Sequence, residues 1–128
     1  MRFAPDGDAQ GLRIVSYDAT GLLIGNVRYT EAVLLAGNVV ESPWGPQQIE
    51  RLAPEHVERL CALGPEVVLL GAGAQAVLPR PQLLLPFGRR GIGVEVMATA
   101  AACRTYNILA GDGRRVAALL LPIADATT

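Results

Sequence analysis

The sequence predicts one three-layer α/β domain, in which helices flank a central mixed β-sheet and an antiparallel β-rich portion is attached at the N-terminal side. Roughly the first forty residues are short β-rich runs joined by glycine, asparagine and aspartate, which is typical of an antiparallel meander. From residue 67 onwards, continuous apolar runs alternate with helical segments. That order favours strands that are buried on both faces of a sheet.

The length of 128 residues suits a single hydrophobic core. We expect this domain to span residues 11–122, with flexible ends at 1–10 and 123–128. The beginning, MRFAPDGDAQG, lacks the apolar segment of a signal peptide, and no apolar run approaches the length of a membrane span. With two cysteines and no export signal, the sequence predicts a cytoplasmic protein with reduced thiols and no stable membrane insertion.

The formal net charge of −1 gives no reason to expect a nucleic-acid partner or an anionic membrane. All 11 basic residues are arginines, which excludes Schiff-base lysine chemistry and a P-loop lysine. One histidine and two isolated cysteines do not supply a set of metal ligands. Hydrolase and metalloprotease motifs are absent as well. These observations favour a protein that is not an enzyme and needs no cofactor or metal.

The β-rich portion divides at its turn residues. Its predicted strands are 12–17, 22–29, 31–36 and 38–42. The segment SPWGPQ (42–47) ends the meander, because two prolines and a glycine cannot continue a strand. It contains the single tryptophan, Trp44, which either anchors a protein partner or closes the end of the sheet.

The helices are predicted from their end signals. In the first, over 54–63, Pro54 suits the first turn and Gly64 suits the position after the end. The best helix covers 99–111, with Thr99 as its N-cap. The remaining predictions are a weaker helix within 79–91, damaged by Pro86, and strands at 67–70, 93–97 and 114–122.

The stretch LLGAGAQA (69–76) matches the dinucleotide-binding pattern G-x-G-x-x-A, with Glu95 at a suitable distance downstream. Nucleotide binding requires a helix directly after the glycines, so that its N-terminus faces the phosphates. Pro79 and Pro81 follow within a few residues and prevent such a helix. We therefore favour a strand that ends in a glycine turn, with nucleotide binding as the weaker alternative.

Cys103 raises the question of an activated nucleophile, because it lies near the start of a predicted helix and beside Arg104. Adjacent residues on a helix point about 100° apart, however. The only histidine, His56, belongs to another helix and is expected to be solvated. Cys103 shares a small-residue face with Asn107 and Ala110, so we interpret it as a buried packing residue.

Glu95 interrupts an otherwise apolar strand. Such a carboxylate either faces solvent at a sheet edge or needs a partner when it is buried. We expect a structural ion pair with Arg104 or Arg115, and a functional pocket is the minority interpretation.

The segments GIGVEVMATAAACRTYNILAGDGRRVAALLLP (91–122) and PEVVLLGAG (65–73) resemble a small family of unknown function. The family includes a mitochondrial respiratory complex I assembly factor (the third of its series), an adipogenesis-associated protein and many short bacterial and archaeal members, and this chain looks like a bacterial-type member. The family-like positions are Gly71, Gly73, Glu95, Thr99, Cys103, Arg104, Tyr106 and Asn107. The resemblance implies a three-layer α/β domain without established catalytic activity and, for the mitochondrial member, a role in building a membrane complex.

Two functional hypotheses follow. The first is a protein-binding module that assists assembly or biogenesis of a protein complex, with Trp44 as a candidate contact. The alternative is a small-molecule or anion site at the glycine turn 71–73 and the N-terminus of the helix that begins at Thr99. Its candidate residues are Gly71, Gly73, Glu95, Thr99, Arg104 and Asn107. A strand edge could also pair with a second copy, which would make a homo-oligomer.

Overall fold

The computed structural model describes residues 11–123. Of the ends expected to be flexible, 1–10 and 123–128, all residues except Ile123 lie outside these residues. The strands are β1 (Ile14–Asp18), β2 (Gly21–Ile24), β3 (Val27–Tyr29), β4 (Val33–Ala36), β5 (Val39–Glu41), β6 (Val67–Gly71), β7 (Gly93–Met97) and β8 (Val116–Leu120). The helices are α1 (Pro54–Ala62), α2 (Leu85–Arg89) and α3 (Thr99–Gly111), and 3-10 turns lie at Ile49–Arg51 and Pro81–Leu84.

The strands form two sheets, and the runs 31–36 and 38–42 of the predicted meander lie in the central sheet as β4 and β5 rather than in the small one. The central sheet has the order β5-β4-β8-β6-β7. Strand β6 pairs in parallel with both β7 and β8, whereas β4 pairs antiparallel with β5 and β8. The second sheet is the antiparallel meander β1-β2-β3. The mixed sheet with an attached antiparallel portion is therefore confirmed.

The inner strands are apolar throughout because both faces of the central sheet are covered. On β6, Val67 and Leu69 belong to the core shared with α3 and the small sheet. Val68 and Leu70 belong to the opposite core, under α1 and α2. Alternate side chains of a strand point to opposite faces, so a strand buried on both sides has no position for a polar residue.

Three local predictions differ from the structure. The run 22–29 is two strands, because Gly25 has a φ of +59° and turns the chain between β2 and β3. Pro86 lies in the first turn of α2 rather than in mid-helix, where a missing N–H leaves no bond unmade. Ala98 holds the N-cap position of α3, and Thr99 is the first helical residue.

Candidate functional site

Gly71, Gly73 and Thr99 meet where β6 ends, and their polar groups are already engaged. The Thr99 side chain is completely buried; its hydroxyl donates to the Leu121 carbonyl oxygen over 2.7 Å and accepts the Gly73 N–H over 2.9 Å. The Thr99 N–H donates back to the Gly73 carbonyl oxygen over 2.9 Å. These groups hold the backbone together, so the Gly73 and Thr99 N–H groups are not available to an anion.

Asn107 lies about two turns along α3 from Thr99 and joins the helix to the small sheet. Its Nδ2 donates to the Ile14 carbonyl oxygen over 2.7 Å, and its Oδ1 accepts the Ile14 N–H over 3.0 Å. The side-chain amide thus pairs with a backbone peptide group as a neighbouring strand would. In this structure Asn107 connects β1 to α3.

Arg104 and Glu95 are both exposed and separate from that junction. Arg104 donates from Nη1 to the Tyr17 hydroxyl over 3.2 Å. Within residues 11–123 no cation lies at ion-pair distance from Glu95, and Arg115 contacts Glu66 instead. The expected ion pair is therefore wrong: β7 is an edge strand, and its carboxylate reaches solvent. The six candidate residues do not line one open pocket.

Cys103 is fully buried in the core beneath α3. Burial raises the pKa of its thiol from 9.0 to about 12, a larger effect than the opposing influence of the Arg104 charge. Because the thiolate is the nucleophile, this environment suppresses reactivity at neutral pH. The structure agrees with the interpretation of Cys103 as a packing residue.

We predict that Cys103 reacts with a thiol reagent only after the protein unfolds. Cys61 is half-buried, so native protein should yield about one fast thiol per chain, absent from a Cys61→Ala variant. Burial raises the pKa of the folded thiol above its ordinary value of 9.0, to about 12. Its contribution to stability is complete below the lower value and is lost as pH rises towards the higher one. Rapid labelling of native Cys61→Ala protein at neutral pH would contradict this assignment.

Trp44 packs inward rather than standing free. It is half-buried against the core on the α1 side of the sheet, and its ring meets that of His56 edge-on at 5.4 Å between centroids. His56 is also half-buried and accepts the Ala53 N–H at Nδ1 over 2.9 Å. The expectation of a solvated histidine is therefore wrong. The packing of Trp44 favours a residue that closes the end of the sheet.

An open cleft of about 810 Å³ lies beside this junction, at the carboxyl ends of β6 and β8. We call it the strand-end cleft. One wall is the loop 43–51, the other is the loop 72–77, and Leu121 and Pro122 lie between them. Its polar lining residues are Thr30, Glu31, Gln47, Gln48, Glu50, Arg51 and Gln75. Ligands of α/β sheets commonly bind at this edge.

Backbone hydrogen bonds hold both walls of the strand-end cleft. On one side, the Trp44 N–H and the Ser42 hydroxyl donate to the Ala32 carbonyl oxygen over 3.0 and 2.9 Å. On the other side, the Ala72 N–H donates to the Met97 carbonyl oxygen over 2.8 Å, and Gly73 is hydrogen-bonded to Thr99. Gly73 has a φ of +102°, which favours glycine. The candidate residues of the glycine turn thus support the cleft from behind.

Sequence reasoning found the correct end of the sheet but missed the residues that line the cleft. Gln47 and Gln48 follow a proline-rich turn, whereas Gln75 lies in the loop after β6. No motif joins them, because side chains from separate loops converge only after the sheet has formed. The available signal was positional: loops at the carboxyl ends of parallel strands meet at one edge.

Residues 11–123 contain no group of three or more His, Cys, Asp or Glu side chains placed to hold a metal ion. No helix among them is both long and apolar enough to cross a bilayer.

Comparison with protein families identifies the lineage of the chain. Residues 14–121 match the model of a family described as proteins of unknown function, DUF498/DUF598. The chain belongs to this family. The match covers β1 to β8 and includes both sheets, all three helices and every residue that lines the strand-end cleft except Pro122.

Individual relatives and structures agree with this assignment. The chain is 35% identical to mouse NADH dehydrogenase (ubiquinone) 1 alpha subcomplex assembly factor 3 over 116 residues, which are 88% of this chain and 62% of that protein. It is 29% identical to the 13 kDa major membrane protein of Francisella tularensis over 89 residues, 70% of this chain and 72% of that protein. A Mth938-like domain from Bordetella pertussis superposes with a TM-score of 0.80 at 29% identity, covering 98% of this chain and 93% of that one.

Proposed function

We propose that this chain is a non-enzymatic protein-binding module that holds an extended polypeptide segment in the strand-end cleft while a protein complex is assembled. The observation that carries the proposal is the lining of the cleft. Three glutamines, Gln47, Gln48 and Gln75, line the same open space between two loops that hydrogen bonds hold in place. Each primary amide can both donate and accept hydrogen bonds, which is what the backbone of an extended peptide requires.

The charges of the cleft support a polypeptide rather than a small anion. Its lining contains two carboxylates, Glu31 and Glu50, against one guanidinium, Arg51. An anionic ligand would therefore meet a surplus of negative charge. The N–H groups proposed for an anion at Gly73 and Thr99 are already bonded. A neutral or basic polypeptide segment fits the lining better than the small-anion alternative.

The names of relatives support the assembly of a protein complex as the process in which this chain binds a polypeptide. The mouse relative is named an assembly factor for NADH dehydrogenase. Because the chain spans 62% of that protein, we propose the general role and assign no particular complex. Trp44 is no longer the favoured contact with a protein partner, because its ring packs against the core. Its neighbours Pro43 and Gly45 line the cleft instead.

Affinity capture from the host's own lysate tests this proposal. The variants are Gln47→Ala/Gln75→Ala, which removes two cleft amides, and Asn26→Ala/Gln82→Ala, which removes two exposed amides elsewhere. Two lost hydrogen bonds at about 0.5–1.5 kcal/mol each correspond to about a 5- to 150-fold loss of affinity. We expect a reproducible protein partner to be lost from the cleft variant and retained by the control. Equal recovery with both variants would place the contact elsewhere and refute the cleft.

A further inference from the structure

The most exposed large apolar side chain of the described region is Leu78, at 73% relative exposure. Leu85, at 52%, follows it closely in sequence. Neither leucine lines the strand-end cleft. Both project from residues 78–89, the later part of the connection between β6 and β7, to which the proposed function assigns no role.

This segment is also basic. Residues 67–94 contain no aspartate or glutamate and include three arginines: Arg80, Arg89 and Arg90. All three arginines are exposed. Arg90 is held by Glu58 through hydrogen bonds of 2.8 and 3.2 Å. Within residues 11–123, Arg80 and Arg89 form no ion pair, so both charges face solvent.

The inner side of this segment packs against the core, so the position of its outer face is fixed. Leu83 and Phe87 are buried in the core beneath it. Leu85 and Arg89 are four residues apart on α2 and therefore share its outer face. Arg80 directly precedes the 3-10 turn that leads into α2, and Leu78 lies two residues earlier. We call Leu78, Arg80, Leu85 and Arg89 the 78–89 surface.

We propose that the 78–89 surface docks on an anionic lipid bilayer, with its leucines in the headgroup–acyl boundary and its arginines on lipid phosphates. The two leucines alternate with charged residues and do not form a groove. This arrangement suits the headgroup region of a bilayer better than the packed pocket of a protein–protein hot spot. Each arginine near an anionic membrane adds attraction, and guanidinium groups bind phosphate well. The net charge of −1 for the whole chain does not reveal the local positive charge of this surface, because the acidic residues lie elsewhere in the sequence.

Cosedimentation of the full chain with vesicles tests the proposal. The probes are phosphatidylcholine vesicles with and without phosphatidylglycerol, at low salt. We expect binding only to the anionic vesicles, with partitioning reduced about tenfold or more by Arg80→Gln/Arg89→Gln and about tenfold by Leu78→Ser/Leu85→Ser. The matched controls are Arg13→Gln/Arg28→Gln and Val15→Ser/Ile108→Ser, which alter exposed residues elsewhere and should retain binding.

A fluorescence measurement locates the contact independently. Trp44 packs against the core, so we expect its emission to stay unchanged when anionic vesicles are added. A tryptophan introduced by Leu78→Trp should shift its emission to shorter wavelength. Failure of the wild-type chain to bind anionic vesicles would overturn the proposal, as would an equal loss of binding in the matched controls. Neither result would bear on the strand-end cleft, whose residues are unaltered.

Discussion

Replacing Thr99 by valine is expected to lower the free energy of unfolding by about 2–5 kcal/mol, because it leaves two buried backbone groups without partners. The Gly73 N–H loses its acceptor and the Leu121 carbonyl oxygen loses its donor. Valine matches threonine in shape, so packing changes little. Chemical denaturation monitored by circular dichroism measures the effect, with the slope of the transition compared between variants.

Thr99→Ser is the matched control, since it retains the hydroxyl and removes only a methyl group. We expect serine to retain most of the stability lost in the valine variant. If valine and serine proved equally stable, the hydroxyl would not be holding the end of β6. The same variant pair also tests the support of the strand-end cleft, because loss of the Thr99 hydroxyl should loosen the cleft wall at Gly73.

The Asn107→Leu substitution is expected to cost about 2–3 kcal/mol of stability and to loosen β1 selectively. It removes both hydrogen bonds to the Ile14 backbone, and leucine cannot replace either one. Native-state hydrogen exchange should show faster exchange of the Ile14 amide, with less change in β6 and β8. The central sheet should stay folded, because its own strand pairings are intact.

The neighbouring Ile108→Ala substitution controls for general damage to α3. Ile108 is 64% exposed, so its truncation should change stability by less than about 0.5 kcal/mol. Unchanged exchange at Ile14 in Asn107→Leu would show that the two Asn107 hydrogen bonds do not hold β1 against α3. That result would remove the structural role assigned to this amide.

The fold was predictable because the strongest sequence signals coincide with its buried centre. Strands β6 and β8 are apolar at every position, and only burial on both faces explains such runs. The errors came from residues whose environment depends on distant parts of the chain. Glu95 needed no partner because β7 is an edge strand, and strand order is not encoded in any local pattern. Pro86 was tolerated because the helix restarts immediately before it.

The candidate site was located correctly only in part. Gly71, Gly73 and Thr99 do lie close together. Thr99 is completely buried, however, and its hydroxyl forms hydrogen bonds only with backbone groups. A polar residue near a helix start looks the same in sequence whether it binds a ligand or its own chain. Asn107 was misplaced for the same reason, since its partner Ile14 is 93 residues away. The cleft was missed because its lining comes from several separate loops.

The most direct measurement of the central claim is site-specific photo-crosslinking from within the strand-end cleft. A photoreactive amino acid is placed at Gln75, which lines the cleft, or at Gln82, which is exposed outside it. Crosslinked peptides are then identified by mass spectrometry. We predict that position 75 yields one recurrent polypeptide segment, neutral or basic in charge, and that position 82 does not. The same crosslinks from both positions, or none from position 75, would contradict the proposal that this cleft binds a protein.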